Sequence, residues 1–314
     1  MNSNQPIPGC SRPRLPASAW LERMESYRDR ARRWTVPARN RRARGIKHPV
    51  EDFLFTYYFL SLKKLEEWHP SIDETLEDSG EVPEWLRTAP YVSKGGVLRM
   101  EPRLSKTEKM RLEWILELLV ATRDRDPHFG CHGLHEWAMI YTGENVRHRE
   151  SCPLRLSQIE IDEVVRSRPL TCTHFDAFRF FHPSAGAMNR CQPSLDRRIE
   201  LEQPGCIHAN MDLYKWASKS LPWVGSELVL DCFELAAELR EVDMRASPYD
   251  LSEFGLEAIP IESPDGRKAY EAEQRRLSVA AAPLRQRLID SISSVLEVSA
   301  DVRTDSEAVE PAGI

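Results

Sequence analysis

The stretch Ser105-Lys-Thr-Glu-Lys-Met-Arg-Leu-Glu-Trp-Ile-Leu-Glu-Leu-Leu-Val-Ala-Thr122 decides the fold class. Ser105 and Glu108 form a capping box, in which each side chain satisfies the other residue's backbone donor. Behind the box, Met110, Trp114, Ile115, Leu118 and Leu119 recur at helical spacing and predict an inner face. Upstream, Ala17 to Trp34 predicts a helix stopped near Pro37. Pro49 opens another, running to Leu60, with Glu51 and Asp52 in its first turn and Lys63 and Lys64 at its far end. Its apolar residues point in nearly every direction, as in a central helix; a buried strand is the alternative. Downstream, helices are expected over Leu134–Tyr141, His208–Lys219 and Glu227–Arg240, the last capped by Ser226. Tyr270–Leu296 predicts a final helix, interrupted or kinked at Pro283. Residues 70–104 read as a long loop or a pair of short strands (Tyr91–Ser93 and Gly96–Leu98), and Ile259–Glu262 as a strand. The expectation is a mainly α protein: one helical catalytic domain over residues 17–297, with long loops and a few short strands. A flexible segment 1–16 and a disordered tail 298–314 would flank it.

A chain of 314 residues can bury a sizeable core. Its apolar share of 41% and charged share of 29% are those of an ordinary soluble domain. No apolar run is long enough to span a bilayer, and residues 1–14 lack the apolar core of a secretory signal, so a cytoplasmic location without a membrane partner is expected. The seven cysteines are accordingly read as thiols. A net charge of −6 argues against a protein that coats nucleic acid, although residues 28–47 hold a basic run that includes Arg39, Arg41, Arg42 and Arg44. That run either contacts phosphates or pairs with the acidic stretch from Glu66 to Glu84.

The chemistry is concentrated in the middle of the chain. Eight of the nine histidines fall between His69 and His208, and six of the seven cysteines between Cys131 and Cys232. His135 and Glu136, His174 and Asp176, and His208 and Asp212 are imidazole–carboxylate pairs. His208 and Asp212, four apart on one helix, project to the same side. Two histidines with one or two carboxylates would hold a divalent metal, zinc or non-haem iron, with His135, Glu136, His174, His208 and Asp212 as the stock of ligands. The chain would then be a metal-dependent enzyme acting on a small molecule. Trp137, Tyr214 and Trp216 accompany these strings, as stacking walls or as core. There is no Walker loop, G-x-G-x-x-G run or G-x-S-x-G elbow.

The strings His48-Pro-Val-Glu-Asp-Phe-Leu-Phe-Thr-Tyr-Tyr, Gly133-Leu-His-Glu-Trp-Ala-Met, Thr173-His-Phe-Asp-Ala-Phe-Arg-Phe-Phe, Glu202-Gln-Pro-Gly-Cys-Ile-His-Ala-Asn-Met-Asp-Leu-Tyr-Lys-Trp-Ala and Asp243-Met-Arg-Ala-Ser-Pro-Tyr-Asp-Leu are specific ones. Over residues 17–290 the chain resembles a bacterial, largely actinobacterial, family labelled 3-methyladenine DNA glycosylase. The resemblance implies a DNA-repair hydrolase that cleaves the N-glycosidic bond of an alkylated purine. In that role Asp212, then Asp176, would be the catalytic carboxylate, with His208 and His174 beside it. Trp137, Tyr214 and Trp216 would stack on the flipped base, and Arg39, Arg41, Arg42 and Arg44 would hold DNA phosphates.

Overall fold

The computed structural model of the chain describes residues 14–58, 60–144 and 152–307. The order is β1 (Arg14–Leu15), α1 (Ala17–Ala43), α2 (Phe53–Tyr57), α3 (Leu62–Glu66), β2 (Thr75–Glu77), β3 (Tyr91–Lys94), β4 (Val97–Met100) and α4 (Lys106–Arg123). Next come α5 (Leu134–Met139), α6 (Gln158–Arg166), α7 (Phe175–Phe178), α8 (Pro183–Gly186), α9 (Arg198–Leu201), α10 (Ile207–Lys219), α11 (Ser226–Arg245) and α12 (Pro264–Glu307). The protein is mainly α, as expected. Among the described residues no helix is long and apolar enough to cross a membrane. The described cysteines are all free thiols.

The Ser105–Glu108 capping box is present, and α4 buries Leu112, Ile115, Leu118 and Leu119. Met110 lies outside that face and is exposed, because helical phase puts it on the opposite side of α4 from Leu112, Ile115, Leu118 and Leu119. A second box, Ser157 with Glu160, opens α6. The short strands form a four-stranded sheet in the order β1-β2-β4-β3, with β1 parallel to β2 and the other pairs antiparallel. Tyr91 pairs with Met100 and Lys94 with Val97, which leaves Gly95 and Gly96 as a two-residue turn. Both have positive φ, the geometry that matches the twist of a tight hairpin.

Several helix boundaries depart from the sequence-based expectation. α1 does not stop near Pro37 but continues to Ala43. Beyond the proline, Ala38 is buried, and ion pairs from Arg39 to Glu66 and from Arg41 to Glu51 and Asp52 tie the last turns down. The central helix expected from Pro49 to Leu60 is instead the single turn of α2, ending at Tyr58 in an extended conformation. That break turns the Tyr58 hydroxyl inward to Asp212, so a buried hydrogen bond outweighs helix propensity. Ser226 is the first helical residue of α11 rather than its cap; its hydroxyl accepts from the His69 N–H and donates to the Glu67 carbonyl. Residues 259–262 form no strand: Ile259 and Ile261 are single buried anchors before α12 begins. α12 is unbroken through Pro283 and extends to Glu307, into the stretch read as tail. His148 lies outside the described residues.

α10 is the centre of the molecule. Ala209, Asn210, Met211, Leu213, Tyr214, Trp216 and Ala217 are all buried; α11 and α12 pack against the helix, and Trp114 of α4 meets Trp216. One stripe of α10 carries His208, Met211, Asp212, Lys215 and Lys219, spaced by three or four residues. The stripe lines two adjoining openings, a small inner cavity and a wider outer one.

Candidate functional site

The inner cavity, of about 90 Å3, lies between α2, α5, α7, α10 and α11. His135, Glu136, His174, Asp176, His208 and Asp212, drawn from three separate parts of the sequence, all line it. Its other walls are Phe53, Tyr57, Tyr58 and Phe180, with Met139 and Met211. The ring centroids of His135 and His208 are 4.5 Å apart, and those of His174 and His208 5.8 Å. A wider vestibule of about 540 Å3 shares Tyr57, Tyr58 and Asp176 with the cavity and adds Arg179, Lys215 and Lys219.

Backbone geometry delivers the first pair. Gly133, with φ of 69°, precedes α5, and a β-carbon there would press on Ala246 Cβ at 3.0 Å and on the Tyr270 ring. Only glycine lets the chain turn this close to α11 and α12, and the turn sets His135 and Glu136 at the cavity wall. His174 caps α7: its Nδ1 accepts the Ala177 backbone N–H. The neutral ring therefore carries its proton on Nε2, which donates to Asp212 Oδ2 at 3.3 Å. With both nitrogens engaged, His174 orients a carboxylate and has no lone pair for a metal.

Asp212 is 1% exposed and is the hub of the polar network. Oδ1 accepts from Tyr58; Oδ2 accepts from His174, from Arg198 at 2.9 Å and from Lys215 at 3.1 Å. Burial alone would raise its pKa, but Lys215, His174 and Arg198 hold it well below the usual carboxylate range. Asp176 accepts from Lys215 at 2.5 Å and Arg198 at 3.1 Å, is ion-paired with Arg179 at 3.2 Å, and is also held low. Both carboxylates are thus fixed anions with their lone pairs committed, poorly suited to take up a proton.

A second cluster differs in kind. Arg240 bridges Glu136 Oε1 at 2.8 Å and Asp243 Oδ2 at 2.7 Å, all three being buried, and its guanidinium lies 4.0 Å from the Phe53 ring centre. Among the described residues, Glu136 Oε2, Asp243 Oδ1 and both ring nitrogens of His135 have no hydrogen-bond partner although they are shut off from solvent. Such atoms are costly to bury unsatisfied. One ligand atom from each of His135, His208 and Asp243 can be chosen so that all lie within 4.8 Å of one another. Burial, reinforced by His208, lowers the His135 pKa well below that of a free imidazole. Burial also lowers that of His208, against the opposing pull of Asp243. Both rings are therefore neutral near pH 7, the form that offers a lone pair to a metal.

The remaining residues singled out in the sequence lie elsewhere. Trp137 is buried, its indole N–H donating to the Ala246 carbonyl. Tyr214 packs edge-on against Tyr58 and Phe233, and Trp216 against Trp114 with Arg198 and Lys215 over its ring. None of these three lines the cavity or the vestibule. Arg39 and Arg41 are in ion pairs, Arg42 donates to the Phe55 carbonyl, and Arg44 is exposed. The basic run pairs only in part with the acidic stretch, through Glu66; Arg30 instead reaches Asp231 and Glu234. Sequence reasoning gave Asp243, Arg240 and Arg198 no role. Arg240-x-x-Asp243, an ion pair one turn apart on a helix otherwise buried on that side, was the available signal.

Comparisons with protein-family models, with curated proteins and with solved structures gave no match.

Proposed function

We propose that the protein is a metal-dependent enzyme acting on a small molecule, with His135, His208 and Asp243 as the protein's ligands. One observation carries this reading: an imidazole with both nitrogens buried and unpartnered sits beside a second histidine and a carboxylate with a free oxygen. Two histidines and one carboxylate suit iron(II) or zinc and leave coordination positions open. When bound, such an ion would supply a Lewis acid and an activated water or oxygen species. Arg240 holds Asp243 in place through Oδ2, leaving Oδ1 for the ion. Glu136, bonded to Arg240 through one oxygen, leaves the other without a partner among the described residues, beside the cavity. Phe53, Tyr57, Tyr58 and Phe180 exclude water and flank the reacting group.

Base excision, the activity implied by the family resemblance, draws less support from this geometry. Its carboxylate, Asp212, is already shared by two cations and two further donors. Most of the arginines that would meet DNA phosphates are bonded within the protein.

The test is metal uptake by protein stripped with EDTA and titrated with Co2+, whose visible absorption reports tetrahedral or five-coordinate sites. One equivalent should bind to wild type. His135→Ala, His208→Ala and Asp243→Asn should each weaken uptake at least tenfold while circular dichroism remains that of a folded helical protein. Absence of a stoichiometric site, or uptake indifferent to all three substitutions, would falsify the assignment.

A further inference from the structure

The vestibule outside the cavity has a charge balance of its own. Its one acid among the described residues, Asp176, already accepts from Lys215 and Arg198 and is ion-paired with Arg179, so it has no capacity for an arriving cation. Deeper in, Asp212 and Glu202 are matched by the same cations: Arg198 donates to Glu202 at 2.6 Å and to Asp212 at 2.9 Å. Three acids are thus set against Arg179, Arg198 and Lys215, and Lys219 is left over. Lys219, exposed at the last turn of α10, has no ion pair among the described residues. Burial and the neighbouring Lys215, Arg111 and Arg198 press its pKa down, against the opposing pull of Asp212. Arg179 also lies flat on Phe180, 4.4 Å from the ring centre, and donates to the Tyr57 hydroxyl. A cation is therefore stationed where the aromatic wall begins.

We infer that the vestibule binds the anionic group of the substrate, so that the substrate is a small aromatic or apolar acid whose uncharged end enters the cavity. The shared chemistry is a carboxylate or phosphate joined to an apolar body. The sizes agree: about 90 Å3 accommodates a small group beside the histidines, and whatever carries the charge must remain in the 540 Å3 outside, past Tyr57 and Tyr58. A molecule bound this way would place its apolar face between Tyr57, Tyr58 and Phe180, with Lys219 and Arg179 as the nearest donors to its anion. This inference rests on the metal reading only for which end of the substrate reacts.

The experiment is calorimetric titration of EDTA-treated protein, so that failure of the metal assignment leaves the result readable. The probes are benzoate, phenyl phosphate and the neutral benzamide. An aryl anion should bind at least tenfold more tightly than benzamide. Raising the salt from about 50 to about 500 mM should weaken that binding several-fold, through screening of exposed charges. Lys219→Gln and Arg179→Gln should each weaken anion binding about five- to tenfold and leave benzamide unchanged. Preference for benzoate over phenyl phosphate assigns a carboxylate, and the reverse a phosphate. Binding of benzamide as tight as that of both anions, no binding of either anion at millimolar concentration, or anion binding untouched by both substitutions would overturn the inference. Both substituted residues are exposed, and circular dichroism of each variant checks that it is folded.

Discussion

Replacing Arg240 by methionine gives the most direct access to the cavity's electrostatics. The side chain is 3% exposed and forms the single bridge between Glu136 and Asp243, themselves 3% and 0% exposed. Methionine keeps much of the volume and the contact with Phe53 but removes the charge, leaving two buried carboxylates without their cation. Breaking a buried ion pair from one side costs about 3–5 kcal/mol. With an unfolding entropy of roughly 2.1 cal/mol/K per residue, or about 0.6 kcal/mol/K for a chain of this size, the melting temperature in EDTA should fall by about 5–8 °C. A divalent ion should reverse much of this. At a hundred times its Kd it contributes about 2.7 kcal/mol to either protein. Calorimetric melts of wild type and Arg240→Met, each in EDTA and in excess Co2+ or Zn2+, provide all four quantities. Equal melting temperatures in EDTA would refute the electrostatic account of the cluster. Melting temperatures that excess metal raises in neither protein would leave that account standing and remove His135, His208 and Asp243 as a metal site.

Two further outcomes are expected from other parts of the molecule. Burial lowers the His69 pKa from 6.5 to about 4, while its Nδ1 is 2.8 Å from the Tyr91 hydroxyl. The unfolded chain therefore takes up this proton first, and the stability held above pH 6.5 is lost as pH falls towards 4. His69→Asn should lose about 2 kcal/mol less than wild type between pH 7.5 and pH 5, measured by urea unfolding; identical slopes would contradict the assignment. Ser105→Ala removes the hydroxyl that accepts the Glu108 N–H at the start of α4 and should cost about 1 kcal/mol in the same assay, with metal uptake unaffected.

Local interactions made much of the fold legible. The Ser105 box, the stripe of α4 and the Gly95–Gly96 hairpin each depend on residues a few positions apart. Where long-range partners intervened, local signals failed. Pro37 does not end α1, because Arg39 and Arg41 anchor the turns beyond it. The aromatic run after Pro49 does not stay helical, because Tyr58 is drawn to Asp212, 154 residues away.

The same division holds for the site. Its stock of groups was written in the sequence: His135 next to Glu136, His174 near Asp176, and His208 in phase with Asp212 on one helix. Sequence alone also confined these groups to the middle of the chain. Which of them remain free was decided only by the folded protein, because hydrogen-bond capacity is finite and is used up by whatever lies nearest. Ala177 and Asp212 occupy His174, while Tyr58, His174, Arg198 and Lys215 occupy Asp212. Among the described residues His135 is left with no hydrogen-bond partner on either ring nitrogen, and α11 brings Asp243 to its side.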